Sequence, residues 1–374
     1  MTKIKIVHIL HSIGGVDVSL RLIIKNINSL NFENIIIHGT NDTEKPFYDN
    51  YLNLTKEYKL PISREISIVD DFTSIVKTYN IIRKEKPNLI HAHSAKGGVI
   101  GRTIGFLTGI KVLYTPQAFS FLSTSNKLKR SIFLSIEKIL SKGNSLLVAS
   151  SVSEMNRGIK EVRFNENKVL LFNNSIEPIV PNETLSIKKT WPDEYICTVG
   201  RPSYQKNIEM MVRVLYEVKK TRKIHLVIMG VGPVSGQLES VKELIKELEL
   251  SNDISLLNWA DRTDVFNIIN QSKFYISTAR YEGLPYSIIE SMSLSKPCIV
   301  SDCDGNRDLI EDCVNGFIIK DNDINLFKER ILELFGDNSL LEKFSKSAYL
   351  SFCKNYNIKN NIRDLELIYS KNSL

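Results

Sequence analysis

The sequence predicts an α/β protein made of two Rossmann-like domains with parallel sheets. Three observations carry this. At 374 residues the chain is too long for one ordinary domain and suits two or three of ~150 residues each. Short β-branched runs alternate with longer amphipathic stretches from end to end, the signature of right-handed βαβ units. A polar stretch over 173–193, punctuated by Pro178, Pro181 and Pro192, separates the alternating pattern into halves. The expected domains are 1–175 and 190–355, with a terminal helix over 356–374 that could pack back on the first domain.

In chain order, strands are expected at 4–10, 35–38, 89–92, 111–114 and 146–149 of the first half. Helical patterns lie between them at 18–30 and 74–84. The opening run, Ile4-Lys5-Ile6-Val7-His8-Ile9-Leu10, reads as a buried first strand and not as a signal peptide. Its apolar core is short, His8 and His11 interrupt it, and no small-residue cleavage site comes after it. The second half repeats the scheme with strands at 195–199, 226–229, 254–257, 274–277 and 298–301. Its first helix carries Ile208, Met211, Val212, Leu215 and Val218 on one face. The segment 340–374 alternates apolar and charged residues at helical spacing and reads as terminal helices.

Hydrophobic residues at 43% and charged residues at 24% exclude a disordered or fibrous chain. Lys plus Arg, 49, less Asp plus Glu, 42, gives a net charge of +7, which suits an anionic substrate or membrane surface and does not by itself call for nucleic acid. The five cysteines form no CxxC pair and read as reduced thiols of a cytoplasmic protein. No run of about 18 apolar residues exists to form a spanning helix.

In open parallel sheets, ligands bind beyond the carboxyl ends of the strands, so the residues just past each strand matter most. Gly14-Gly15 comes after the first. It is either a tight strand-to-helix turn or a bare backbone able to approach a phosphate or sugar, and it lacks the third glycine of a dinucleotide fingerprint. His93-Ser94 and Pro116-Gln117 come after later strands of the first half. In the second half come Gly200-Arg201, then Gly230-Val231-Gly232-Pro233, then Arg280-Tyr281-Glu282-Gly283. Arg201 and Lys206, five residues apart, are either solvated charge or a planar fork and a mobile cation set to grip a diphosphate. The run from Glu282 through Gly283, Leu284 and Pro285 to Glu290 places one carboxylate in a loop and a second eight residues on, inside a helix. Backbone N–H groups near Gly283 and Leu284 suit an anion, and Glu290 either accepts from a ribose diol or complements the helix start. Two such polar edges, one per domain, would face one another across a cleft.

The Gly-Arg-x4-Lys element and the Glu-x7-Glu element after it resemble the retaining glycosyltransferases of group 1 (family 4), which have the GT-B fold. The likeness covers nearly the whole chain. The stretch from Asp304-Gly305-Asn306-Arg307 to Asn315-Gly316 looks like the branch that assembles bacterial capsules and O-antigens. The resemblance implies a metal-independent transfer, without cofactor, of a hexosyl or N-acetylhexosaminyl group. The donor would be a nucleoside-diphosphate sugar, UDP being the commonest nucleotide, and the acceptor a lipid-linked polysaccharide precursor. It implies that Arg201 and Lys206 hold the diphosphate as it leaves, Glu282 contacts the donor sugar beside the Gly283 and Leu284 backbone, and Glu290 holds the ribose. Gly14 and Gly15 would approach the pyrophosphate from the first domain, His93 would face the transferred sugar, and Gly230, Gly232 and Pro233 would lie near the nucleotide. Relatives often carry histidine where this chain has Gln117; an amide cannot titrate near neutral pH, so Gln117, an acceptor-side candidate, is left with hydrogen bonding to the acceptor or to the sugar.

Other readings compete. Asp302-Cys303-Asp304 formally matches a cation-binding Asp-x-Asp. The same fold could epimerise or hydrolyse a nucleotide sugar, or serve as a non-catalytic subunit of glycan assembly. No histidine or cysteine cluster has zinc spacing along the chain. The basic, amphipathic stretch 127–142, preceded by Phe119, Phe121 and Leu122, is either an ordinary core helix or a surface that rests on the anionic inner face of the membrane.

Overall fold

The computed structural model describes residues 3–63, 67–182, 184–232, 235–258 and 260–373. The chain divides into two compact units, Met1–Glu177 together with Ile358–Leu374, and Pro178–Asn357. The division falls inside the proline-punctuated stretch, and the last helix, Ile358–Asn372, belongs to the first unit.

The first unit is built on β1 (Ile4–Ile9), β2 (Phe32–Gly39), β3 (Lys56–Leu60), β4 (Leu89–His93), β5 (Val112–Thr115), β6 (Ser145–Ala149) and β7 (Val169–Leu171). They lie in the order β3-β2-β1-β4-β5-β6-β7, every pairing parallel. Strands buried on both faces carry apolar residues on both, which is why β1 and β4 are mostly apolar on consecutive positions, broken by Lys5 and by the buried His8, His91 and His93. Their alternate residues feed two cores. One face packs Val7, Ile9 and Ile90 against Ile82, Ile100 and Ile104 of α2 (Ile68–Glu85) and α3 (Ser94–Thr108). The other packs Ile6, Leu89, Leu113 and Val148 against Ile23 and Ile27, at the end of α1 (Gly15–Asn26), and against Ile358, Ile362, Leu365 and Tyr369 of the last helix. In α3 a Cβ on Gly97 would overlap the Ile9 carbonyl oxygen, so the row of glycines is what lets this helix lie directly on the sheet.

Against α3 packs α4 (Lys127–Leu140), with the short α5 (Val152–Arg157) later in the chain. A buried ion pair fastens α4 to α3: Arg102 Nη2 lies 2.9 Å from Glu137 Oε2, with both side chains almost fully enclosed. The Tyr114 hydroxyl donates to the other Glu137 oxygen at 2.9 Å, and the Arg102 guanidinium carbon lies 3.9 Å from the centre of the Tyr114 ring. On its outer side α4 leaves Leu128, Ile132, Ile136 and Ile139 exposed, among Lys127, Lys129 and Arg130.

The second unit holds α6 (Ile208–Lys219), α7 (Leu238–Glu247), α8 (Arg262–Gln271), α9 (Tyr286–Ser293), α10 (Asn306–Leu309), α11 (Ile324–Gly336) and α12 (Asn338–Asn355). Its strands are β8 (Tyr195–Val199), β9 (His225–Val231), β10 (Ile254–Asn258), β11 (Tyr275–Ser277), β12 (Cys298–Ser301) and β13 (Gly316–Ile319). They pair in parallel in the order β10-β9-β8-β11-β12-β13. The apolar stripe of α6 is buried, with Ile208, Met211, Val212, Leu215 and Val218 all inside.

The expected strands are all present. β3, β7 and β13 are additions, and each lies next to or at a sheet edge. α1 starts at Gly15 and ends at Asn26 instead of spanning 18–30, and α2 runs six residues further back than the expected 74–84. Its true start is capped by Ser67, which accepts the Asp70 N–H. The exposed Ile68, Val69 and Phe72 on its first turns break the buried periodicity there. No helix of the described residues is long and apolar enough to cross a membrane.

Candidate active site

Because every strand is parallel, the loops at their carboxyl ends collect at one edge of each sheet. In the second unit β8 and β11 are neighbours, so the segment after Val199 meets the segment after Ser277. Hydrogen bonds fasten the two. Thr278 Oγ1 donates to the Asn207 carbonyl at 3.0 Å, the Arg280 N–H to the Gln205 carbonyl at 2.8 Å, and Arg280 Nη1 to the Tyr204 carbonyl at 2.6 Å.

This brings Lys206 Nζ to 2.8 Å from Glu282 Oε1, while Gln205 Nε2 donates to Glu282 Oε2 at 3.1 Å. The Glu282 side chain is only 8% exposed. Burial on its own would lower the Lys206 pKa, but the Glu282 charge, aided by Tyr275, lifts it above the ordinary lysine value, so Lys206 is a cation at neutral pH. A Cβ on Gly200 would sit 3.0 Å from Lys206 Cγ and Cδ; the bare backbone there makes room for the lysine stem.

Arg201 is half-buried beside Gly230. Gly230 has φ +88°, and its Cβ position lies 3.7 Å from Gly200 N and 3.9 Å from Arg201 N, so the end of β9 turns left-handed against the end of β8. The Gly232 N–H donates to Ser235 Oγ at 3.1 Å. Pro233 lies outside the described residues. Gly283 and Leu284 are buried just before α9, whose start has no side-chain cap. The Tyr275 hydroxyl ties this start to β8, accepting the Val199 N–H at 3.1 Å and lying 2.9 Å from Ser287 Oγ. Glu290 is buried in the second turn of α9, and Arg262 Nη2 of α8 reaches its Oε1 at 2.5 Å. Asp302 and Asp304 are bridged by one cation of the chain's own: Arg307 Nε lies 2.8 Å from Asp302 Oδ1, and its Nη1 2.7 Å from Asp304 Oδ1. The Asp-x-Asp pattern is thus an internal ion-pair clamp.

In the first unit, Asp42 organises the loop after β1. It pairs with His11 Nδ1 at 2.6 Å, accepts the Gly39 N–H at 2.8 Å and accepts the Ser12 N–H. That loop leads to Gly14, at φ +62° and ψ −131°, and to Gly15 as the first residue of α1. Past β5, Gln117 has φ +51° and Ala118 φ +78°. Gln117 Nε2 is buried without a hydrogen-bond partner among the described residues.

His93, the last residue of β4, is wholly buried. The pairing of β1 with β4 sets His8 opposite His91, and the imidazoles of His91 and His93 on β4 gather with that of His8 on β1, their ligand nitrogens within 4.8 Å of one another. The hydrogen bonds fix their proton positions. Thr115 Oγ1 donates to the Val148 carbonyl at 2.9 Å, so it accepts from His91 Nε2 at 3.0 Å, and His91 Nδ1 accepts the Tyr369 hydroxyl at 2.7 Å. His8 Nε2 faces the Asn34 amide oxygen at 3.0 Å, leaving its Nδ1 to accept from His93 Nε2 at 3.0 Å. Burial holds all three rings neutral, lowering His8 to about 4 and the other two well below the usual value. One lone pair is left over, on His93 Nδ1. A single lone pair does not make a metal site.

Sequence reasoning missed Gln205, Arg262, Glu154 and the His8–Asn34 contact. Only Glu154 left a local signal, as the last residue of the Ser-x-x-Glu pattern that starts α5.

Residues 13–178 match the family described as Glycosyltransferase Family 4, and residues 183–351 the family described as Glycosyl transferases group 1. The chain is 26% identical to the UDP-Gal:alpha-D-GlcNAc-diphosphoundecaprenol alpha-1,3-galactosyltransferase of Escherichia coli, over 98% of this chain and 97% of the relative. In structure it is similar to the sucrose-phosphate synthase of Thermosynechococcus elongatus, with TM-score 0.84, 15% identity and 98% of each chain covered. It is also similar to Anabaena HepE in complex with UDP-glucose, with TM-score 0.78, 16% identity, and 98% of this chain and 99% of the other covered.

Proposed function

From the premise that this chain belongs to the group 1 and family 4 glycosyltransferases, with their GT-B fold, we propose that it moves a sugar from a UDP-sugar, with retention, onto a lipid-linked precursor of a bacterial surface polysaccharide. The observation that carries this reading is the ion pair of half-buried Lys206 with buried Glu282 at the neighbouring carboxyl ends of β8 and β11, with Gly200-Arg201 and Gly230 around it. The E. coli relative, named for a UDP-galactose donor and a diphosphoundecaprenol acceptor, supports UDP-galactose as the first donor to try.

The proposed chemistry uses these residues. As the glycosidic bond to the diphosphate breaks, positive charge develops on the sugar and negative charge on the departing phosphate. Arg201 and Lys206, with the start of α9, would stabilise that negative charge without a metal ion or other cofactor. Glu282, held by Lys206 and Gln205, would orient the donor sugar and not attack it. Glu290, steadied by Arg262, would accept the ribose hydroxyls. Gly283, Leu284, Gly230 and Gly232 would line the nucleotide, Gly14 and Gly15 would approach the pyrophosphate, and His93 would offer its remaining lone pair toward the transferred sugar. A ligand that binds only the native state raises the melting temperature. UDP and UDP-galactose are expected to stabilise the purified protein in the presence of chelator, and Arg201→Ala is expected to abolish the shift. No stabilisation by any nucleoside diphosphate would overturn the reading.

The exposed Leu128, Ile132, Ile136 and Ile139 of α4, set among lysines and an arginine, support peripheral contact of a cytoplasmic enzyme with an anionic membrane, where a lipid-linked acceptor resides. The protein is expected to float with liposomes containing anionic phospholipid at physiological salt, and the Leu128→Glu/Ile132→Glu variant to stay behind. Failure of the unmodified protein to float would remove the membrane from the proposal.

A further inference from the structure

Beyond β5 the chain makes an unusual turn. Gln117 and Ala118 both adopt left-handed backbone conformations, which L side chains occupy only when something else holds them there. The turn is fastened at Ala118 by Glu154, in the first turn of α5 and buried. Its Oε1 accepts the Ala118 N–H at 2.7 Å; its Oε2 accepts the Ser150 N–H at 2.7 Å and the Ser150 hydroxyl at 2.8 Å. In the usual Ser-x-x-Glu capping arrangement the glutamate returns to the N–H of the cap residue itself. Here it bonds Ser150, one residue earlier, and spends its other oxygen on a loop 36 residues away. The turn so fixed carries a buried amide, Gln117 Nε2, with no partner among the described residues. A buried donor left unmatched inside a strained turn points to a ligand oxygen as its partner.

We propose that Glu154 is a positioning residue: by gripping the Ala118 N–H it maintains the left-handed turn that aims the Gln117 carboxamide N–H at a hydroxyl oxygen of a sugar substrate. This rests on the glycosyltransferase reading. The hydroxyl belongs either to the donor sugar or to the acceptor glycan, and kinetics separates the two.

The experiment uses the full chain, a GlcNAc-diphosphoundecaprenol acceptor, and whichever of UDP-galactose, UDP-glucose, UDP-N-acetylglucosamine and UDP-N-acetylgalactosamine the unmodified protein consumes. Gln117→Ala is expected to raise one KM about tenfold, the loss of a single hydrogen bond, with inhibition by free UDP unchanged. A rise for the UDP-sugar assigns the contact to the donor sugar, and a rise for the lipid-linked substrate assigns it to the acceptor. Glu154→Gln is expected to raise the same KM. Adding Ala118→Gly should recover most of that loss, because glycine holds a positive φ without help. Amide hydrogen exchange supplies a readout that needs no variant, since the Ala118 N–H should be strongly protected. Unchanged constants in Gln117→Ala or Glu154→Gln, a Glu154→Gln defect that glycine at 118 leaves in place, or rapid exchange at Ala118 would each overturn the inference. A protein that consumes none of the four donors overturns the underlying reading instead.

Discussion

Lys206→Ala is expected to lower turnover with a UDP-sugar by a factor of about 10²–10³, the loss typical when one preorganised group facing a developing negative charge is removed. The reason lies in what surrounds the ammonium. Glu282 lies 2.8 Å away and keeps it charged, and the bare backbone of Gly200 lets its stem lie close. Truncation also strands the buried Glu282 carboxylate, so the melting temperature should fall as well. The two effects separate in Lys206→Met/Glu282→Gln, which pairs no charge. Its melting temperature should return toward that of the unmodified protein while its turnover stays low. A Lys206→Ala enzyme with nearly normal kcat would remove the lysine from leaving-group stabilisation.

The second large effect concerns stability. Glu137→Leu leaves the Arg102 guanidinium, whose side chain is 1% exposed, buried without its counterion, and is expected to cost about 3–5 kcal/mol. The remaining contacts of Arg102, Nε to the Gly98 carbonyl at 2.9 Å and the face of Tyr114, do not neutralise it. Burial holds the Tyr114 hydroxyl protonated, so that it acts only as a donor toward Glu137. Replacing both partners, as Arg102→Met/Glu137→Leu, removes the buried charges together and should recover most of the loss. Hydrogen exchange in α3 and α4 reports the free energy of opening in that region. A single variant within about 1 kcal/mol of the unmodified protein would show that the pair contributes little.

The parts of the fold that could be read from the sequence are those whose burial leaves a local pattern. β1, β4 and β12 are largely enclosed on both faces and carry apolar residues on consecutive positions, broken in β1 and β4 by Lys5 and three buried histidines. β3, as Lys56-Glu57-Tyr58-Lys59-Leu60, lies at a sheet edge, carries charge on its outer positions and lacks such a run. β7 has three residues, and β13 opens on Gly316, which is there because a Cβ would overlap the Cys298 carbonyl oxygen. The candidate site divides the same way. Arg201, Lys206 and Glu282 are visible because each sits just past a strand. Arg262 beside Glu290, and Glu154 beside Ala118, are contacts between segments 28 and 36 residues apart. No spacing rule marks them; they exist because strand order brings those loops together. The histidine layer is the clearest case, since His8 and His93 are 85 residues apart and meet only through the pairing of β1 with β4.

The return of the last helix to the first unit has a consequence for how the protein is made. Tyr369, Leu365 and Ile362 complete the core that Ile6, Phe32, Leu89 and Leu113 begin. On the ribosome those early strands emerge long before their cover does. They wait while residues 178–357 are synthesised, roughly 10–40 s at ~5–20 residues per second. The half of the protein that is translated second can therefore close its core first, and the half translated first spends that interval with one face of its sheet open to water and to neighbouring nascent chains.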